Sequence, residues 1–268
     1  MSAVDQMFSD LRASGRKALI PFITAGDPDL DFTQALVQEL AARGCHLCEI
    51  GIPYSDPIAD GPVIQASYTR ALAKRVKLAD ILRAIGAMRG PLRGLPIVTM
   101  VSYAIVLRHG MERYVAEAKA AGVSGAIVPD LLVEEADELA AICRREDFSL
   151  IQLVTPTTPR ERALRIAERS TGFLYYVSVT GITGERTQLP ADLVDNVAWL
   201  RERSPLPICI GFGISTPEHV KLLRTVADGL IVGSAIVRQM AAADTTPRRQ
   251  VLDHLGDYVG SLLAALNP

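Results

Sequence analysis

The residue most at odds with its surroundings is Glu49. It lies in His46-Leu47-Cys48-Glu49-Ile50-Gly51, an otherwise apolar run that reads as a buried strand. An unpaired carboxylate in such a place neutralises by raising its pKa. A carboxyl group tuned in this way can give and retake a proton near neutral pH, which is general acid–base chemistry. The competing reading is a buried ion pair with an Arg or Lys from another strand. The next segment, Pro53-Tyr54-Ser55-Asp56-Pro57-Ile58-Ala59-Asp60-Gly61, adds two carboxylates. One loop can bring either beside Glu49, and two carboxylates in different environments can divide the acid and base roles. Ser55 and Asp56 also fit a turn before Pro57, the better reading for Asp56. Asp60 equally fits a cap for a helix beginning near Pro62.

A second chemistry is suggested by glycine turns near the C-terminus. Gly211-Phe212-Gly213-Ile214-Ser215 and Gly233-Ser234-Ala235 each follow an apolar run. Backbone N–H groups and a helix N-terminus at two such turns suit a phosphate group. The glycines can instead serve only the tight turns. A third loop, Gly181-Ile182-Thr183-Gly184, sits in the long segment 179–190, which reads as a lid. Of the adjacent Tyr175 and Tyr176, a strand would point one inward and the other outward. The inward one is a catalytic candidate, although core packing with a satisfied hydroxyl is commoner. Phe22 and Phe212 suit an apolar pocket for an aromatic group. Cys45-His46-Leu47-Cys48 has metal-motif spacing but no second pair, so core cysteines are the better reading. The four histidines are scattered without ligand spacing, and no metal site is expected.

These residues need elements to hold them. Short apolar runs recur at 19–24, 46–51, 96–101, 125–129, 149–154, 174–179, 207–211 and 229–233. Their near-continuous apolar character is that of parallel strands buried on both faces. Helical spacing of apolar residues fills the intervals at 31–43, 111–121, 134–146, 159–169, 192–203 and 217–225. Strand starts are about 30 residues apart on average, the size of one βαβ unit. Eight such units predict a (β/α)8 barrel with its active site at the C-terminal ends of the strands. An extra helix is expected at 4–13, before the first strand. Two helices, 62–74 and 78–89, follow the second strand, so one of them is extra; 247–266 reads as the last outer helix. With no Ser/Gly-rich or Pro-rich linker, residues 1–268 are expected to form a single domain. A doubly wound open sheet fits less well, because Thr24-Ala25-Gly26-Asp27-Pro28 follows the first strand where a Gly-x-Gly-x-x-Gly turn would stand.

Composition removes other classes. Lys and Arg total 28 against 30 Asp and Glu, so no basic nucleic-acid face is implied. The longest apolar stretch, 97–107, is interrupted by Thr99 and Ser102 and is too short for a membrane span. The N-terminus lacks a signal-peptide pattern, and four cysteines in 268 residues are no disulfide framework. A cytoplasmic protein is expected.

The run Glu49-Ile50-Gly51-Ile52-Pro53-Tyr54-Ser55-Asp56-Pro57-Ile58-Ala59-Asp60-Gly61-Pro62 closely resembles the signature of the tryptophan synthase alpha subunit family. Further matches follow in the expected order: Pro21-Phe22-Ile23-Thr24-Ala25-Gly26-Asp27-Pro28, Pro129-Asp130-Leu131, Tyr175-Tyr176-Val177-Ser178, Gly181-Ile182-Thr183-Gly184 and the two glycine turns near the C-terminus. The resemblance implies retro-aldol cleavage of indole-3-glycerol phosphate to indole and glyceraldehyde 3-phosphate. It places the general acid/base at Glu49 and the second carboxylate at Asp60, with Tyr175 near the substrate. It places the phosphate at Gly184, Gly213, Gly233 and Ser234, indole between Phe22 and Met100, and a lid residue at Thr183. No cofactor is implied, because protonated indole is itself the electron sink. The implied partner is a beta subunit that uses pyridoxal phosphate and receives the indole. Three positions depart from the family pattern: Ser102-Tyr103-Ala104 where tyrosine, a variable residue and asparagine are common, Leu132 where proline is common, and Cys48 for an aliphatic residue. The first two lie on the side that would face the partner. They motivate two alternatives, a stand-alone lyase releasing free indole and a non-catalytic activator of a beta subunit. The costly Glu49 speaks against the second. A sugar-phosphate isomerase on the same barrel is a more distant alternative, since the loop carrying Asp60 is not expected there.

Overall fold

The computed structural model describes residues 1–57, 60–88, 90, 92, 94–178, 191–211 and 213–268. Its strands are β1 (Ala18–Thr24), β2 (Cys48–Gly51), β3 (Ile97–Met100), β4 (Val123–Ile127), β5 (Ser149–Ile151), β6 (Leu153–Val154), β7 (Leu174–Val177), β8 (Ile208–Gly211) and β9 (Gly229–Val232). All pair in parallel, in the order β5-β4-β3-β2-β1-β9-β8-β7-β6. The two ends of this ladder are consecutive in the chain and parted only by Gln152. The nine strands therefore curl into a nearly closed barrel, with β5 and β6 as two halves of the expected fifth strand. This is the (β/α)8 architecture expected from the apolar runs.

The helices are α1 (Ala3–Ala13), α2 (Leu30–Ala42), α3 (Pro62–Ala73), α4 (Leu78–Ala87), α5 (Tyr103–His109), α6 (Met111–Ala121), α7 (Asp137–Arg145), α8 (Arg160–Arg169), α9 (Ala191–Arg201), α10 (Pro217–Leu223), α11 (Ser234–Met240) and α12 (Arg248–Leu266). The expected extra helix after the second strand is present, since α3 and α4 both precede β3. α5 is the element the spacing did not reveal. It has seven residues with one buried side chain, Val106, too little for an apolar stripe.

α1 closes the N-terminal end of the barrel. Ser2 caps it, accepting from the Asp5 N–H at 3.2 Å, while the Asp5 carboxylate accepts from the Ser2 N–H at 3.0 Å. Its buried face presents Val4, Phe8 and Leu11, with Phe8 tilted against Phe173 at 5.7 Å between ring centroids. Inside the barrel, alternate residues meet. A side chain on Gly229 of β9 would strike the Cys209 sulfur on β8, at 2.7 Å, and Ala18 on β1, at 3.1 Å. The outward set packs on helices instead, as where Thr99 of β3 and Tyr114 of α6 join their hydroxyls at 2.7 Å. With the N-terminal end plugged and the wall covered, the opposite end is left to carry a site.

Candidate active site

β2 delivers Glu49. It is register partner of Phe22 on β1 and of Val98 on β3, so backbone pairing on both sides fixes its height. Glu49 is fully buried, and neither carboxylate oxygen has a hydrogen-bond partner among the described residues. The ion pair weighed for it above is absent there. Burial, then the charge of Asp60, hold its carboxyl well above the usual carboxylate range.

Asp60 comes from the loop after β2. The backbone N–H of Asp60 donates to Pro57 at 3.1 Å, and its carbonyl accepts from the Gln65 amide at 2.8 Å. Its side chain does not cap α3, whose N-cap is Gly61 with no side-chain bond. Instead Oδ2 is buried without a partner among the described residues, and burial pushes the carboxyl up to about 6. Asp56 is exposed and accepts from the Ser55 hydroxyl at 2.8 Å, so the turn reading describes it. The loop brings one carboxylate to Glu49, not two.

Tyr175 faces the same pair. It is a register partner of Leu153 on one side and Cys209 on the other. Burial first, then the charges of Glu49 and Asp60, raise its phenol. Tyr175 is thus the inward member of the tyrosine doublet. A cavity of about 370 Å³ opens here, and its lining includes Asp60, Met100, Tyr175, Leu131, Leu132 and Arg162. Met100 is one of its lining residues. Phe22 is not among the lining residues; its ring packs where Cβ atoms on Gly51 and Gly233 would stand, 2.6 Å and 3.5 Å away.

The two glycine turns near the C-terminus lie at this same end. Gly213 adopts φ +76°, a left-handed conformation that favours glycine. The Gly233 carbonyl accepts from Ile236 and Val237 at 2.8 and 3.0 Å, which opens α11 at Ser234. Thr183, Gly184 and Phe212 lie outside the described residues.

Sequence reasoning missed three groups here. Tyr68 of α3 is buried, its hydroxyl has no partner among the described residues, and it feels the charges of Asp60 and Glu49. Gln152, at the break between β5 and β6, lines the cavity with a buried amide nitrogen that has no partner among the described residues. Asp130 accepts from the Ser102 hydroxyl and the Tyr103 N–H, both at 2.7 Å, and so ties the loop after β4 to the start of α5. Tyr68 occupies one position of a regular buried helix face with Ile64, Ser67 and Ala71, which reads as core.

The arrangement of a fully buried and a partly buried carboxylate beside a cavity suits bond cleavage driven by proton transfer. The family model for the tryptophan synthase alpha chain matches residues 8–265. A tryptophan synthase alpha chain of Rhodopirellula baltica is 55% identical over 276 aligned residues, covering 100% of this chain and 99% of that one. One from Caldanaerobacter subterraneus is 42% identical, covering 99% and 100%. Among solved structures, the tryptophan synthase subunit alpha of Legionella pneumophila superposes with a TM-score of 0.91 at 33% identity, covering 100% of this chain and 99% of that one. A chain of Mycobacterium tuberculosis tryptophan synthase does so at 0.87 and 30%, with full coverage of both. The chain belongs to the tryptophan synthase alpha chain family, the lyases that cleave indole-3-glycerol phosphate to indole and glyceraldehyde 3-phosphate in tryptophan biosynthesis.

Proposed function

We propose that this chain carries out that cleavage with Glu49 as the proton-transfer group and Asp60 as the electrostatic partner. The observation that carries the reading is the unequal pair. Glu49 is fully buried with no hydrogen-bond partner among the described residues, whereas Asp60 lines the cavity with its carboxyl pushed up to about 6 by burial. The group with the higher pKa holds the proton at neutral pH, and the other is ionised.

Glu49, protonated, donates to C3 of the indole ring. The ring becomes cationic, and the Asp60 carboxylate beside the ring N–H stabilises that charge. The carbon–carbon bond then breaks toward the ring, which takes the electron pair. The adjacent glycerol hydroxyl becomes the aldehyde of glyceraldehyde 3-phosphate, and its proton returns to Glu49. Protons balance, and the indole ring itself accepts the electrons. Tyr175 and Met100 flank the ring. The turns at Gly213 and at Gly233 and Ser234 receive the phosphate; from the sequence, Gly184 joins them, Phe212 belongs to the indole pocket and Thr183 to the lid.

The complex with a beta subunit is favoured over a stand-alone lyase by Leu107 and Leu132, large apolar side chains 50% and 54% exposed. Leu132 borders the cavity and Leu107 lies on α5, which Asp130 fastens to the neighbouring loop. A partner docking there would cover both. Residues 1–268 read as one barrel domain, because one buried cluster runs from Val4 to Leu266. No helix among the described residues is long and apolar enough to cross a membrane, and all four cysteines are free, which fits the cytoplasm.

The test is indole release from indole-3-glycerol phosphate by the purified chain, alone and with the beta subunit of the same source. Slow release that rises strongly with the partner is expected. Fast release indifferent to the partner would favour the stand-alone lyase, and no release in either case would overturn the reading.

A further inference from the structure

We propose that Tyr68 is a positioning residue for Asp60, lending its phenol hydroxyl as a hydrogen-bond donor that holds Asp60 ionised once substrate fills the site. The inference rests on the function proposed above and adds a group from outside the barrel strands.

Tyr68 lies on α3, the helix that begins directly after Asp60. It is 1% exposed, and its hydroxyl has no hydrogen-bond partner among the described residues. A buried hydroxyl without a partner is costly and needs a reason. Its place supplies one. A Cβ on Gly51 would stand 2.7 Å from that hydroxyl and 2.6 Å from the ring of Phe22. Gly51 ends β2 two residues after Glu49, on the same face of the strand. The hydroxyl therefore reaches over the strand end into the layer above Glu49, and only glycine at 51 leaves it room.

The charged and titratable groups around it come from three elements. Asp60 and Tyr54 come from the loop after β2, and Glu49 from β2; Tyr175 of β7 senses the same two carboxylates. The Tyr54 ring lies 5.6 Å from the Tyr68 ring, tilted by 53°, and Tyr54 also feels Asp130. The groups whose charge reaches Tyr68 are the carboxyls of Asp60 and Glu49 and the Tyr54 phenol, and toward an ionised carboxylate, which can only accept, the hydroxyl serves as a donor. Of the two carboxylates, Asp60 is the one the reaction requires ionised. A donor to it favours the ionised form, whereas a donor to Glu49 would work against the proton that Glu49 must hold.

The experiment is Tyr68→Phe in the full chain, with indole release followed from pH 5 to 9 beside the parent. Expected are a kcat lower by about tenfold, the size of one hydrogen bond to a charged group, and a KM within roughly twofold, since uniform substrate binding is untouched. The acid limb of kcat should move up by about one pH unit. In parallel, the Asp60 carboxyl is titrated by carbon-13 NMR in the presence of a non-cleavable indolyl-alkyl phosphate, and its midpoint should rise in the variant. Tyr68→3-fluorotyrosine, with nearly the same shape and a more acidic hydroxyl, should move both readouts the other way and covers the case in which Tyr68→Phe fails to fold. An unchanged acid limb and an unchanged Asp60 midpoint would overturn the proposal, even if kcat fell through packing. A parent that releases no indole would overturn the function proposed above, whereas an active parent matched by its variants overturns only the role of Tyr68.

Discussion

Gly211 and Tyr175 share one volume: a Cβ on Gly211 would fall on the Tyr175 hydroxyl and within 2.7 Å of its Cζ. Gly211 ends β8 and pairs with Val177, two residues beyond Tyr175 on β7. The tyrosine therefore leans across the strand end, and the glycine lets it do so. Gly211→Ala should push the phenol into the cavity it lines. Overpacking of this kind costs about 1–3 kcal/mol. The expected outcome is a melting temperature lower by roughly 2–10 °C, with KM for indole-3-glycerol phosphate raised more than kcat is lowered. A variant with parent-like KM would show that Tyr175 does not border the bound substrate.

The same pairing shows what the sequence could and could not reveal. The strands were legible because residues buried on both faces leave long apolar runs, and Glu49 stood out against such a run. For the second carboxylate the residues alone favoured a turn role for Asp56 and left Asp60 divided between helix cap and partner of Glu49, and the resemblance pointed to Asp60. That Asp60 does not cap α3 became visible only in the structure, where Gly61 stands at the cap. Tyr68 was hidden because a tyrosine at helical spacing among buried residues looks like core, and its hydroxyl's surroundings are set by a strand distant in the chain. α5 was hidden for a related reason: a short helix held by Asp130 from the next loop needs little apolar patterning of its own.

Glu49→Gln should abolish catalysis and stabilise the fold. Losing a general acid/base of this kind lowers kcat by about 10²–10⁴-fold. The folded state holds the Glu49 proton more tightly than the unfolded chain does, since burial raises the carboxyl. The parent is therefore most stable below the ordinary carboxylate range and loses stability as pH rises through the folded value. Glutamine carries no such penalty. Thermal melts of both proteins between pH 5 and 9 should show the variant's advantage growing with pH, and an advantage constant across that range would mean that Glu49 is already ionised in the folded protein and that burial does not raise its carboxyl.

Asp60 should set the acid side of the activity profile. With its carboxyl pushed up to about 6, the reactive ionised form is lost as pH falls through that value. Indole release should fall about tenfold per pH unit below that point, ordinary behaviour for one required ionisation. Asp60→Asn should lower kcat and flatten this limb, because asparagine neither ionises nor balances the charge on the indole ring. An Asp60→Asn profile that still breaks near the parent value would assign the limb to a different group.

The support beneath both carboxylates converges on Asp27. It is fully buried after β1, and its carboxylate accepts from Arg70 Nε at 3.0 Å and from the Arg70 guanidinium again at 2.6 Å, with the Ser67 hydroxyl as a further donor. Both partners lie on α3, the helix that starts after Asp60 and carries Tyr68. One carboxylate thus fastens the loop after β1 to the helix that anchors the Asp60 loop. Removing one partner of a buried pair costs about 3–5 kcal/mol. Here the Arg70 side chain is already 33% exposed and can turn to water, so Asp27→Ala should cost about 2–3 kcal/mol. That corresponds to a melting temperature lower by roughly 4–12 °C. Activity should fall as well, although Asp27 touches no substrate, and Arg70→Met in the same background should add little to either loss, because the pair is already broken. Full additivity of the two substitutions would show that they act separately and that Asp27 does not hold α3 through Arg70.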